Sequence, residues 1–256
     1  MTILEFKLIA VAVIFLVGIS SGLFPLRFAV SKMNQLIFSI GNSLAGGIFL
    51  GAGLLHLLPD GLEFLSDVSD YPLALLLAAG SLGILLFLEK VIFIESDMRN
   101  MESIGSSSAF EPYLLALILS IHSFIAGAAL GIEKTILGSA VLFIAIIAHK
   151  SGAAFALGIS MIRGGVLKRR HIKVILLFSI MTPLGIFLGS LLNSAFGSST
   201  GRVLEGVFDS LAAGTFIYVA VLDIIEEEFS IPGNELLKFF SIIAGLGLMA
   251  LLAIWT

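Results

Sequence analysis

Eight long apolar runs use up almost the whole of this 256-residue chain. A run of about 20 apolar residues spans a hydrocarbon layer of about 30 Å as an α-helix. Only a helix or a closed barrel satisfies its own backbone there. The runs fall at 4–28, 34–60, 72–94, 112–133, 136–161, 173–196, 203–228 and 235–256, here spans 1 to 8. The predicted fold class is therefore an all-α integral membrane protein of eight transmembrane helices. It forms a single transmembrane domain over 1–256 with no length left for a soluble one. A hydrophobic share of 58% against 12% charged residues excludes an ordinary soluble domain. There is no cysteine, so disulfides and thiolate ligands are excluded too.

Span 1 has the outline of a signal peptide, with Lys7 ahead of an apolar stretch and Ser20, Ser21 and Gly22 after it. The repeat described below needs it as a helix. Loop charge sets the orientation. One side holds Arg27, Lys32, Lys90, Arg99, Arg163, Lys168, Arg169, Arg170, Lys173 and Lys238; the other holds Lys7, Lys134 and Arg202. Ten against three places both termini outside and the loop after Arg163 in the cytoplasm. The longest connection, 95–111, is then cytoplasmic; it reads as a linker, with Glu95, Asp97 and Glu102 as a weaker metal-sensing alternative. Trp255 reads as an interfacial anchor.

Ionisable residues deep in such runs are costly and mark substrate paths. His122 lies ten residues after Pro112, about 15 Å into span 4. His149 lies thirteen residues after Ile136, about 20 Å into span 5. The short link at 134–135 makes the two spans antiparallel neighbours, so both imidazoles sit near the midplane. One buried histidine is most simply a hydrogen-bond partner of another helix. Two at matched depth suit a transition-metal ion. Gly127 and Gly131 on span 4, with Gly152, Ala153, Ala156 and Gly158 on span 5, are expected to let these two helices approach closely. Ser123 is either a weak further ligand or a serine bonded back to its own helix. Lys150 is either a fixed positive charge in the pathway or the partner of an acid on another helix. Pro183, after Thr182, predicts a kink in span 6.

A shift of 167 residues lays SLAGGIFLGAGLLHLLPD (43–60) on SLAAGTFIYVAVLDIIEE (210–227). Ser43, Leu44, Ala45, Gly47, Phe49 and Leu55 meet Ser210, Leu211, Ala212, Gly214, Phe216 and Leu222; His56 falls on Asp223 and Asp60 on Glu227. Spans 2 and 7 cross in opposite directions, so the repeat is inverted, with spans 1–3 related to 6–8 and spans 4 and 5 central. Inverted repeats around a midplane site are a transporter architecture. His56 and Asp60 then mark the outer mouth, and Asp223, Glu226, Glu227 and Glu228 the inner one. Glu89 is expected to pair with Lys90 or to snorkel.

These segments resemble the ZIP family of divalent-metal transporters. The resemblance rests on HSFIAGAALG (122–131) and HKSGAAFALG (149–158), supported by GGIFLGAGLLHLLPD (46–60), TPLGIFLG (182–189) and AAGTFIYVAVLD (212–223). It implies eight helices in a 3+2+3 arrangement, a metal site between helices 4 and 5, and a lysine at 150 in the place of a second metal. The chain departs from the family at Ala126 and Ala153, four residues after each histidine, where the family carries glutamates. Glu133 lies about 16 Å further along span 4 than His122 and cannot replace them. A neutral histidine pair favours borderline metals over magnesium or calcium.

The function expected is secondary or elevator-type transport of a divalent transition metal into the cytoplasm. Zinc comes first, with Fe2+, Mn2+ and Cd2+ as alternatives, and no cofactor is expected to be permanently bound. His56 and Asp60 meet the ion, His122 and His149 hold it with Ser123 beside them, and Asp223 and Glu227 release it. Two other classes compete: a non-transporting metal sensor or scaffold, and an intramembrane zinc enzyme. The enzyme would need a third strong ligand and a general base, and the chain has neither HExxH nor a nucleotide-binding loop. The expected setting is the cell membrane, multi-pass. The expected partners are the metal ion, the lipid bilayer and, optionally, a second copy in a homodimer; nucleic acid is not among them.

Overall fold

The computed structural model describes residues 2–28, 32–93, 111–192 and 198–254. Of the 95–111 connection only Glu111 is described, so the readings of Glu95, Asp97 and Glu102, like that of Trp255, lie outside these residues. Eight helices are long and apolar enough to cross a membrane: α1 (Ile3–Arg27), α2 (Gln35–Ser66), α3 (Leu73–Val91), α4 (Pro112–Ile132), α5 (Ile136–Arg163), α6 (Lys168–Leu191), α7 (Arg202–Ser230) and α8 (Glu235–Leu252). Two boundaries differ from expectation. Helix α2 runs on to Ser66, and the basic stretch from Lys168 forms the first turns of α6 rather than a loop. Lysine and arginine are good helix formers, and their long stems keep the charge at the interface. Pro183 lies inside a continuous α-helix, Lys168–Leu192.

Packing does not follow chain order. Helix α4 lies along α6, and α1 against α5 and α6. Helix α2 lies along α8, and α7 against α2 and α3. The molecule is thus two bundles of four: α1, α4, α5 and α6 in one, α2, α3, α7 and α8 in the other. Exchanging α1 with α6, α2 with α7, α3 with α8 and α4 with α5 maps the α4–α6 contact onto α5–α1 and the α2–α8 contact onto α7–α3. These helix pairs follow the exchange that the sequence match suggests.

Side chains at the matched positions have comparable surroundings. A Cβ on Gly47 would strike the Ile242 carbonyl of α8, and one on the matched Gly214 would strike the Ala78 carbonyl of α3. The matched Phe49 and Phe216 touch edge to face with centroids 4.7 Å apart, which places both beside the pseudo-two-fold axis. Gly61, late in α2, meets Gly206 and Ser210, early in α7. Glu228, late in α7, bonds Ser39 and Asn42, early in α2. The two helices therefore run antiparallel, as an inverted repeat requires. Each also carries a π-helical stretch at the matched place, Gly53–Leu57 in α2 and Val219–Ile225 in α7. Such stretches frequently occur at functional sites, and these two hold His56 and Asp223.

The glycine contacts make a prediction. Gly214→Ala overpacks the α3–α7 contact and should cost about 1–3 kcal/mol. Gly80→Ala, on a face of α3 with no neighbouring atom within 4 Å, should be neutral or gain up to about 1 kcal/mol of helix propensity. Thermal unfolding of the purified protein in detergent measures both, and equal melting temperatures would contradict the close approach.

Candidate metal centre

The turn between α4 and α5 fixes the two histidine helices. Thr135 caps α5 by accepting from the Gly138 N–H at 3.0 Å. The Thr135 N–H and hydroxyl donate to Glu133 Oε1 at 2.6 and 2.7 Å. Burial pushes the Glu133 carboxyl up, but its bonds from Thr135 and Lys134 and the charge of Lys7 hold it below the usual carboxylate range. Glu133 is thus an ionised staple of the turn, as its distance from His122 along the helix predicts.

His122 and His149 come together in the interior. Their ring centroids are 5.4 Å apart at 63°, and the residues are 5% and 4% exposed. Neither ring nitrogen of His122 has a hydrogen-bond partner, and His149 Nδ1 has none. Among the described residues only His122 leaves two buried polar atoms unpaired. An unpaired buried polar group costs about 1–3 kcal/mol, so a ligand that satisfied these nitrogens would recover that cost. Imidazole nitrogens are metal ligands when neutral, and the donor set fits a borderline transition metal.

The reason for their proximity differs from the one expected. Gly127 and Gly131 face α6, where a Cβ would strike the Thr182 and Ile186 carbonyls. Gly152 faces Ala45 and Ile48 of α2, and Gly158 faces Gly22 of α1. The small faces therefore clamp α4 to α6 and α5 to α1 and α2, not α4 to α5. What joins α4 to α5 beside the histidines is Lys150. Its ammonium donates to Thr182 Oγ1 at 2.9 Å, Ser123 Oγ at 3.2 Å and the Phe178 carbonyl at 3.3 Å. It also lies 4.0 Å from the Phe178 ring centroid. All three protons are used, every acceptor is neutral, and no acid pairs with this lysine among the described residues. The Ser123 hydroxyl points to the lysine rather than back to its own helix.

The remaining candidates form separate stations. His56 Nδ1 is 3.0 Å from Asp60 Oδ2 one turn later. His56 is also close enough to both central imidazoles to interact electrostatically. At the other end the Asp223 side chain lies beside Glu89. Glu89 in turn accepts from the Tyr218 hydroxyl at 2.6 Å and pairs with Lys90 at 2.5 Å. Glu227 pairs with Arg163 at 2.9 Å. Among the described residues no three histidine or acidic side chains converge on one point. Asp60, Asp223 and Glu227 therefore do not join the histidine pair.

Three neighbours of the candidate residues were not singled out from the sequence. Phe216 packs on His122 with centroids 4.4 Å apart and lies 6.2 Å from His149. Its match with Phe49 across the repeat was the available signal, since equivalent residues beside a two-fold axis must meet. Glu205 and Asp209 of α7 interact electrostatically with Asp60 and so belong to the same mouth. Asp209 is the repeat equivalent of Asn42, a relation visible by extending the match one residue.

A family model described as ZIP Zinc transporter matches residues 4–108 and 95–253. Zinc transporter ZIP1 of Danio rerio is 28% identical, covering 98% of this chain and 98% of its own length. Zinc transporter ZIP2 of Homo sapiens is 26% identical over 91% of this chain and 93% of its own. Zinc transporter 3 of Arabidopsis thaliana is 26% identical over 98% and 85%. Eight helices long and apolar enough to cross a membrane and a family match running almost end to end lead to one conclusion: this chain is a multi-pass membrane protein belonging to the ZIP zinc transporter family.

Proposed function

We propose that the protein carries zinc, or a closely related divalent transition metal, across the membrane into the cytoplasm through a site formed by His122 and His149. The observation that carries this reading is the facing pair of buried imidazoles with unpaired nitrogens. In this reading the end of α5 at Arg163 is cytoplasmic and both termini are outside, as the ten-to-three loop charge requires. Asp60 and His56 draw a hydrated ion into the outer mouth, aided by Glu205 and Asp209. The ion exchanges water for the two imidazoles. Phe216 lies against His122 and must swing aside for this. Lys150, held by three neutral oxygens, stays beside the site as a fixed positive charge and limits it to one divalent ion. Asp223 and Glu227 receive the ion on the way out. The bundle of α1, α4, α5 and α6 carries both histidines, so a shift of that bundle against the other moves the site between the two faces. Pairing of two copies in the membrane is compatible with this and is not needed for the site.

One observation favours the rival reading of a sensor or scaffold. Ala126 packs in an apolar cluster with Ala10, Ile14, Leu130, Ile146 and Ile186, so the site lacks a charged oxygen ligand there. Zinc flux in proteoliposomes separates the two readings.

Two variants test the site. His122→Ala or His149→Ala should abolish zinc flux while the size-exclusion profile is unchanged; normal transport by both would exclude the two-histidine site. Ala126→Glu adds a carboxylate one turn from His122 on the same face. It should tighten zinc by about 1–3 kcal/mol, the scale of a charge-assisted contact, and slow release. Unchanged or weaker binding by titration, in a folded variant, would mean that position 126 faces away from the ion.

A further inference from the structure

The two ends of the α2–α7 contact are equivalent in the repeat but differ in chemistry. At the Arg163 end Glu228 is completely buried. Its carboxylate accepts from Ser39 Oγ at 2.6 Å and Asn42 Nδ2 at 2.8 Å, both on α2. It also accepts from Arg163 Nη2 at 2.6 Å, on α5. Arg163 Nη1 pairs with Glu227 at 2.9 Å, and Lys238 of α8 donates to the Glu228 carbonyl at 2.7 Å. Arg163 belongs to the bundle that carries the histidines; every other member belongs to the opposite bundle. Just above, Phe155 of α5 packs on Gly41, and Gly152 lies on Ala45 and Ile48. At this end α5 of one bundle touches α2 of the other directly.

The shift of 167 residues takes Ser39 to Gly206, Asn42 to Asp209 and Glu228 to Gly61. At the opposite end no side chain therefore stands where Glu228 does. Gly61 rests directly on Gly206 and Ser210. The acids there, Asp60, Glu205 and Asp209, all stand on α2 and α7, within one bundle. The Arg163 end ties the two bundles together by opposite charges, and the position equivalent to Glu228 at the other end is a glycine.

We propose that Arg163, Glu228 and Asn42 form a one-sided latch that holds the two bundles closed at the Arg163 end, and that it must open for metal to leave there. A buried carboxylate that loses its cation is left uncompensated, which strongly disfavours the closed arrangement. Arg163 keeps a quarter of its side chain exposed, so water can reach the guanidinium and compete for it. The proposal rests on the transport reading only for its consequence; the latch itself is a property of the resting protein.

The chain has no cysteine, so a single introduced thiol reports without background. Ser43→Cys places one on α2 next to Asn42, at a fully buried position. Ser210→Cys places one at the equivalent buried position on α7. Each is made in the full chain alone and together with Arg163→Gln or Glu228→Gln. Labelling by a charged methanethiosulfonate reagent is followed in detergent without zinc. Both latch variants should speed labelling at position 43 by at least about fivefold, the effect of a modest population shift, and leave position 210 unchanged or slower. Rates at position 43 within about twofold of the parent would overturn the latch. Equal acceleration at both positions would overturn its one-sidedness, because it reports general loosening. Failure of both variants to fold would make the network a folding element instead. The readout needs no zinc flux, so failure of the latch and failure of the transport reading are seen separately.

Discussion

Within a hydrocarbon layer no water completes a polar group, so every buried donor and acceptor must find its partner in the protein. This chain meets that demand for its buried cations. Lys150 gives its protons to Thr182, Ser123 and Phe178, Lys238 caps the last turn of α7, and Lys7 caps α4 at the Gly131 carbonyl. Against that background the bare nitrogens of His122 and His149 stand out. A divalent ion would complete them without another protein group, which is why the site can be both buried and vacated.

Close backbone approach makes the interior possible. Gly47 and Gly214 seat α2 on α8 and α7 on α3; Gly127, Gly185 and Gly189 seat α4 on α6. These contacts lie within the bundles and make each of them rigid. Between the bundles the contacts are of another kind: Phe216 on His122, Phe155 on Gly41, and the Arg163 ion pairs. Rigid units meeting at aromatic and ionic contacts can shift against each other without unpacking a core. The repeat thus supplies two similar halves, and the differences between them decide which face is closed.

Much of this was legible in the sequence. The eight spans follow from apolar length alone, and the repeat register was carried by Gly47, Phe49, His56 and Asp60 against their counterparts. The facing histidines followed from matched depth and a short turn. What failed was the assignment of helix faces. Gly127 and Gly131 announce a close neighbour, but nothing in a helical pattern says which of seven other helices it is, and the neighbour is α6. Glu228 was lost among three acids at a helix end, although it alone is fully buried. The π-helical stretches around His56 and Asp223 leave no mark in an apolar period, because they depend on one extra residue per turn.

The central claim is that two imidazoles and no carboxylate of the inner mouth hold the ion. X-ray absorption at the zinc K-edge of the loaded protein tests it most directly. The account predicts two histidine nitrogens at about 2.0–2.1 Å, with oxygen donors completing the shell, and loss of the histidine signal in His122→Ala/His149→Ala. A zinc shell without imidazole, or an imidazole count that the double variant leaves unchanged, would contradict it.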